Sequence, residues 1–257
     1  MALLLALSLV ASLTLAACTT DDTADDGELT IFAAASLRDV FGELERAWEV
    51  ERGGPDLVVA FDGSNVLAAQ IAEGAPADVF VSADIERPDA LVEGGEAAGE
   101  VVVFAGNGVT LVAPRDSDRV QAPDDLAEPG VRLVAAGPGV PISRYAEAAV
   151  QQLAETTAQP DDYAAAVAAN VVSREDNVRA ALAKVELGEG DAAFVYATDA
   201  ASSEMVREIP LGDIDVVAEY GAVAVSERAA ASDFVAWLVG PEAGAILEAA
   251  GFEAAGA

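Results

Sequence analysis

Short apolar runs alternate with amphipathic segments along most of the chain. Leu29–Ala34 and residues 57–61 are apolar and contain β-branched side chains, which is typical of buried strands, whereas apolar residues recur at helical spacing over 37–48. Further strands are predicted over 78–82, 101–105, 109–113, 131–135, 192–196, 214–216 and 222–225. Further helices are predicted over 66–74, 143–153, 163–169, 177–187, 230–238 and 242–250. This alternation predicts an α/β protein with a largely parallel sheet.

The start of the chain has a different pattern. Residues 2–17 are apolar and uncharged, shorter than the ~20 residues that span a bilayer, and they end in small residues before Cys18. This is the pattern of a signal peptide over residues 1–17. Residues 18–28 are mostly polar and acidic, as in a flexible tether. A buried helix with an incidental cysteine is the alternative.

The charge balance excludes several classes of function. The chain has 257 residues, with 13 Lys and Arg against 45 Asp and Glu, and its formal net charge is -32. A chain this acidic is not expected to bind nucleic acid, which requires neutralisation of phosphates. The chain has no His, the commonest general base and metal ligand, and its single Cys excludes a disulfide framework.

Two serines occupy equivalent positions. Ser36 and Ser64 each follow a predicted strand and open a predicted helix. Free backbone N–H groups and the positive end of the helix dipole meet there, which makes an anion site without Lys or Arg. In open α/β sheets, ligands bind at the carboxyl ends of the strands. The alternative is that each serine only caps its own helix.

Three long segments carry a family resemblance: IFAAASLRDVFGELERAWE, FDGSNVLAAQIAEGAPADVFVSAD and REDNVRAALAKVELGEGDAAFVYATDA. They resemble the periplasmic molybdate-binding proteins of ABC importers, which are type II periplasmic binding proteins. The resemblance implies a two-lobed α/β fold, each lobe a mainly parallel sheet flanked by helices, with the ligand in the cleft between them. The chain would cross between the lobes near Asn107 and near residues 216–220. The implied domains are 29–107 and 219–257 for lobe 1 and 108–218 for lobe 2.

The same resemblance implies a set of ligand-binding groups. Molybdate would be held as an oxyanion, by hydrogen bonds alone, without a further metal ion or a cofactor. The matching groups are the hydroxyls of Ser36, Ser64 and Tyr196 and the backbone N–H groups of Ile142 and Val178. This chain departs from the family pattern in having Ile142-Ser143 in place of Ala-Gly after Pro141, and Asn65 in place of a second serine.

The resemblance also implies a function. The protein would capture molybdate, and tungstate too, and deliver it as a monomer to an ABC permease with its ATPase, without catalysis. Cys18 resembles the cysteine of the bacterial lipobox, which implies a lipid anchor on the periplasmic or cell-surface side of the membrane. A binding protein for sulfate or another oxyanion is the alternative. A serine hydrolase is disfavoured because His and a GxSxG motif are absent, and a structural lipoprotein would not need convergent helix N-termini.

Overall fold

A computed structural model describes residues 27–255. The predicted signal peptide, Cys18 and most of the predicted tether lie outside the described residues. Of the tether, Gly27 and Glu28 are described; both are exposed, and their carbonyl groups accept hydrogen bonds from Arg228. None of the helices in the described part combines the length and the apolar character that crossing a membrane requires.

The first sheet begins with three parallel strands. Strand β1 (Leu29–Ala34) lies between β2 (Leu57–Asp62) and β3 (Val79–Ser82). Because parallel neighbours need crossover connections, a helix follows each strand. These helices are α1 (Arg38–Arg46), α2 (Ser64–Ala72) and α3 (Glu86–Gly94).

One long strand belongs to both sheets of the molecule. Strand β4 (Val102–Pro114) pairs through residues 102–108 with β9 (Val217–Ala224), which lies antiparallel between β3 and β4. Its later residues pair with β7 (Ala192–Tyr196) and β8 (Val206–Ile209) in the second sheet. The short strand β10 (Glu253–Ala254) also pairs with β4.

The second sheet also contains three parallel strands. Strand β5 (Leu133–Ala136) lies between β6 (Val171–Glu175) and β7. We call the part of the molecule built on the first sheet lobe 1 and the part built on the second sheet lobe 2. The helices of lobe 2 are α4 (Pro141–Glu155), α5 (Pro160–Ala169), α6 (Val178–Glu186) and α7 (Ala197–Ala201).

The chain passes between the lobes twice, at adjacent places. The first passage is within β4, and the second lies between β8 and β9. A hydrogen bond of 2.8 Å from the Val109 N–H to the Val216 carbonyl joins the two passages. After β9, helices α8 (Ala229–Leu238) and α9 (Pro241–Ala249) return to lobe 1, where Trp48 packs 5.1 Å from Phe234 between ring centroids.

Several predicted elements differ from the structure. The predicted strand over 214–216 is wrong: this segment is irregular, and the strand begins at Val217. The strands predicted over 101–105 and 109–113 form the single strand β4. The antiparallel strands β4, β8 and β9 make each sheet mixed, with parallel pairing confined to three strands on each side.

Candidate functional site

The two serines lie next to each other at the edge of the first sheet. Ser36 is in a 3-10 turn (Ala35–Leu37) that joins β1 to α1, and Ser64 is the first residue of α2. Strands β1 and β2 are parallel and paired, so their carboxyl ends bring both serines to one place. Both side chains are buried, with 3% and 1% of their surface exposed.

Lobe 2 presents two helix N-termini. Ile142 is the second residue of α4, and Val178 is the first residue of α6. The first four N–H groups of a helix have no partner within it, and the helix dipole makes this end positive. Asn177 caps α6 by accepting a 3.0 Å hydrogen bond from the Ala180 N–H. The Val178 N–H is therefore not used by this cap.

Tyr196 supplies a buried hydroxyl. It ends strand β7, is 1% exposed, and its Oη has no hydrogen-bond partner among residues 27–255. Burial raises the pKa of this hydroxyl well above its usual value, so it keeps its proton at neutral pH. A buried polar group without a partner costs roughly 1–3 kcal/mol. This donor is therefore available to a guest.

The five predicted site residues all line one cavity between the lobes. Its open volume is about 10 Å³, room for about one water molecule, so the lining must move apart to admit a larger guest. Among the described residues the lining includes no charged side chain. The remaining lining residues are small or uncharged: Ala34, Ala35, Gly63, Ala83, Val140, Pro141 and Asn177.

The neighbours of the serines determine which way their hydroxyl protons point. Ser64 Oγ accepts a 3.0 Å hydrogen bond from the Ala83 N–H, which leaves its proton free. Ser36 Oγ lies 2.7 Å from Tyr220 Oη, and Tyr220 Oη in turn accepts a hydrogen bond from Asn107 Nδ2 at 3.3 Å. Either hydroxyl of this pair can be the donor; with Tyr220 donating, the arrangement that gives the Tyr220 proton an acceptor, the Ser36 proton is free for the cavity. The cavity is therefore lined by donors.

Tyr220 and Asn107 are functional residues that the sequence analysis missed. Both side chains are fully buried, and burial raises the pKa of the Tyr220 hydroxyl well above its usual value, so it stays protonated. A tyrosine and an asparagine inside mainly apolar strands were a usable signal, because buried polar groups need partners. Ser143, considered as a further ligand group or a helix cap, donates to the Gly137 carbonyl at 2.7 Å.

The lobes touch around the cavity. Asn177 Nδ2 of lobe 2 donates to Asp62 Oδ1 of lobe 1 at 3.0 Å. A Cβ placed on Gly63 would lie 2.5 Å from the Asp176 carbonyl oxygen, so only glycine allows this approach. On one side of the cavity Arg179 pairs with Asp39, and on the other side Arg144 pairs with Glu86. The structure is thus a closed form.

One acidic group lies deep beside the site. The Asp199 side chain is fully buried in lobe 2, with Oδ1 2.7 Å from Arg179 Nε. Burial raises the pKa of Asp199 to about 7, although the charge of Arg179 acts in the opposite direction. Asp199 does not line the cavity.

Comparison with known proteins gives consistent matches. The profile of the family described as bacterial extracellular solute-binding protein matches residues 29–253. The molybdate-binding protein ModA of Escherichia coli (strain K12) is 33% identical over 244 residues, covering 89% of this chain and 90% of that protein. The molybdate-binding protein ModA of Mycobacterium tuberculosis (strain H37Rv) is 32% identical over 230 residues, covering 87% and 84%.

Solved structures show the same fold. The periplasmic molybdate-binding protein of Azotobacter vinelandii superposes with a TM-score of 0.70 at 25% identity, covering 87% of this chain and 98% of that one. The sulfate-binding protein SubI of M. tuberculosis reaches 0.76 at 20% identity, covering 89% and 87%, a likeness of fold. The predicted periplasmic-binding-protein fold is confirmed. The chain belongs to the bacterial extracellular solute-binding protein family.

Proposed function

We propose that this protein captures molybdate outside the cytoplasm and delivers it to an ABC importer. One observation carries the proposal: hydroxyl and amide donors from both lobes converge on a small cavity whose described lining has no charged side chain. The names of the relatives from E. coli and M. tuberculosis, both molybdate-binding proteins, support the same ligand.

Neutral donors are sufficient to bind an anion in so acidic a protein. Hydrogen bonds to a charged group contribute about 1.5–3 kcal/mol each, and the site offers five donors: Ser36, Ser64, Tyr196 and the N–H groups of Ile142 and Val178. The net charge of -32 acts from a distance and is screened beyond ~8–10 Å. Contact interactions therefore dominate inside the closed cavity.

The donor set favours an anion that carries no proton. Phosphate is partly protonated at neutral pH and favours a strong acceptor in its site, whereas the described lining contains no carboxylate, and Ser36 and Ser64 already have the partners Tyr220 and Ala83. Molybdate, tungstate and sulfate are fully deprotonated dianions and satisfy the same donors. We propose molybdate and tungstate as ligands and keep sulfate as the alternative that the titration must separate.

The remaining features follow from this role. We propose that the protein acts as a monomer, with the permease and its ATPase as partners, and is held to the membrane by a lipid on Cys18. We propose no catalytic activity. Lys184, the one lysine that could activate a serine, pairs with Glu175 at 2.7 Å and lies on α6 outside the cavity lining.

Calorimetric titration of the purified protein tests the proposal. Molybdate and tungstate should bind tightly, sulfate much more weakly, and phosphate should give no heat. Replacing Ser36 or Ser64 by Ala should weaken molybdate binding by about tenfold or more, since each removes a hydrogen bond to a charged ligand. Ser117→Ala is the matched control, because Ser117 contacts the Arg119 N–H outside the cavity lining. Preferential binding of sulfate would overturn the molybdate assignment.

A further inference from the structure

We propose that Arg179 is a positioning residue that holds the lobes closed by pairing with Asp39, so that closure and completion of the donor set occur together. The inference rests on the proposed function for the identity of the ligand, but the closure itself does not depend on which oxyanion binds. It begins from a contact that takes no part in the proposed ligand binding. Beside the cavity, the Arg179 guanidinium of lobe 2 pairs with the Asp39 carboxylate of lobe 1.

The position of the pair in the chain links it to the ligand-binding groups. Arg179 directly follows Val178 at the start of α6, and Asp39 lies three residues after Ser36, in the first turn of α1. Ser36 and Val178 each lie within three residues of one partner, so an ion pair between the first turns of the two helices limits the distance between the Val178 N–H and the Ser36 hydroxyl. These two donors come from opposite lobes, and the pair brings them onto one guest.

A buried carboxylate holds the arginine in position. Asp199 Oδ1 lies 2.7 Å from Arg179 Nε, and the Arg179 Nη1 donates to Ser202 Oγ at 3.1 Å. Both contacts are within lobe 2: the attraction of the Asp199 carboxylate, an ion pair without a hydrogen bond, and the hydrogen bond to Ser202 hold the guanidinium before the lobes meet, and its Nη2 remains for Asp39. Burying a carboxylate is costly unless it is paired. Fixing Arg179 accounts for the burial of Asp199 outside the cavity lining.

The contacts between the lobes on the opposite side of the cavity limit how much the loss of the Arg179 pair can favour the open form. There, Arg144 of lobe 2 pairs with Glu86, and Arg87 of lobe 1 donates to the Gly139 carbonyl. These contacts remain when the Arg179 pair is removed. Removing one partly exposed pair should therefore shift the balance between open and closed forms without abolishing closure.

The experiment compares two neutral substitutions on the same helix. Asp39→Asn removes the charge of lobe 1 that pairs with Arg179. Glu43→Gln removes an equal charge one turn further along α1, and both residues line the same crevice beside Arg179. The Asp39 side chain is 54% exposed, so the variant should fold. General electrostatics predicts that both variants bind an anion slightly more tightly than the unmodified protein.

The pairing predicts the opposite sign for Asp39→Asn. Its molybdate affinity should fall by about three- to tenfold, mainly through faster dissociation, while Glu43→Gln should equal or exceed the unmodified protein. Equal or tighter binding by Asp39→Asn than by Glu43→Gln would overturn the proposal.

Small-angle X-ray scattering without ligand separates this inference from the choice of ligand. Asp39→Asn should have a larger radius of gyration than both the unmodified protein and Glu43→Gln, because the open form gains population. Identical radii for the three proteins would overturn the positioning role, whatever the titration shows. Failure of every protein to bind molybdate, with the larger radius observed, would instead overturn the proposed function.

Discussion

The serines of the cavity can donate to a guest because the oxygen of each already has a partner within the protein. The Ala83 N–H donates to Ser64 Oγ, and Ser36 Oγ pairs with Tyr220 Oη, which accepts from Asn107 Nδ2. A hydroxyl can donate or accept, so the residue type alone does not determine its role. Here the surrounding hydrogen bonds determine it, and they do so through residues far away in the chain.

Tyr196 should matter for binding and little for folding. Tyr196→Phe removes a hydroxyl that has no partner in the described part of the chain, so the unliganded protein should unfold at the same or a higher temperature. Molybdate affinity should fall by about 10- to 100-fold, the loss of one hydrogen bond to a charged ligand. Titration and thermal denaturation measure the two effects.

Tyr163→Phe is the control for this prediction. Its hydroxyl donates to the Pro123 carbonyl at 2.9 Å, away from the cavity, so stability should fall while affinity stays constant. Unchanged affinity in Tyr196→Phe would show that the hydroxyl does not touch the ligand.

The raised pKa of Asp199 predicts how the stability of the folded protein depends on pH. Burial raises its pKa in the folded protein to about 7 from the usual 3.8, so between these values the folded state binds more protons than the unfolded state. The free energy of unfolding contributed by this group therefore falls as pH rises through that range. Asp199→Asn does not titrate there.

Urea denaturation at the two ends of that range gives the measurement. The stability of the unmodified protein relative to Asp199→Asn should be greater near pH 4 than above pH 7. The variant cancels the contribution of the other carboxylates, which are common to both proteins. The same difference at both ends would contradict a raised pKa for Asp199.

At this scale the sequence predicted the serines but not the groups behind them. Ser36 and Ser64 are recognisable because each stands between a strand and a helix, a local pattern. Tyr220 contacts Ser36 across 184 positions of the chain, and Asn107 contacts Tyr220 across 113. Contacts at such separations depend on strand order, which local patterns do not determine. Ile142, Val178 and Tyr196 came from the family resemblance, and all three line the cavity.

At the scale of elements, helix starts determine the geometry of the site. The 3-10 turn before α1 and the first turns of α2, α4 and α6 all face the cavity, two from each lobe. Each helix brings unpaired N–H groups and the positive end of its dipole. A small anion in the cavity would therefore be surrounded by positive helix ends, with no cationic side chain among the described lining residues.

The approach of the loop before α2 to the loop before α6 should be sensitive to one methyl group. In Gly63→Ala the new Cβ would lie 2.5 Å from the Asp176 carbonyl oxygen, so the lobes could not close fully. Affinity for molybdate should fall by about tenfold or more, since a strain of only ~1.4 kcal/mol in the closed form has that effect. Calorimetric titration measures it.

Gly42→Ala is the matched control. Gly42 lies within α1, and a Cβ there meets no atom within 4 Å. Because alanine favours helix over glycine by roughly 0.5–1 kcal/mol, this variant should be slightly more stable and should bind normally. Normal binding by both variants would show that the loops stay apart in the liganded protein.

Helix α3 and strands β6 and β8 were not predicted because each departs from the residue pattern that is typical of its kind of element. Helix α3 contains Pro88, which breaks helices in their interior but is tolerated in the first turn, where it lies. Strand β6 is at the edge of its sheet with Val172 exposed, so it lacks the apolar run of a buried strand. Strand β8, which pairs with β4, contains the charged residues Arg207 and Glu208, so it also lacks an apolar run.

At the scale of the whole molecule, the net charge of -32 has no counterpart in the cavity. Most of the described acidic residues lie at the surface, where they repel one another, and this repulsion destabilises the compact state. High carboxylate density is a pattern of proteins that work in concentrated salt, which we keep as a hypothesis about the source.

Added salt should therefore stabilise the protein. The midpoint of thermal unfolding should rise as sodium chloride increases from about 0.1 M to about 1 M, over which the screening length falls from ~10 Å to ~3 Å. Chloride is preferred to sulfate because it is not a candidate ligand and is less strongly excluded from protein surfaces. A midpoint that falls with salt would contradict this account.

Strand β4 belongs to both lobes, so neither sheet is complete without it. Its first residues complete the sheet of one lobe and its last residues the sheet of the other. A ribosome that has released only the first hundred residues has made neither sheet whole, and a protease that cuts this strand damages both. The chain would consequently complete its fold late, after the final helices emerge. Cleavage within β4 would disrupt both lobes together.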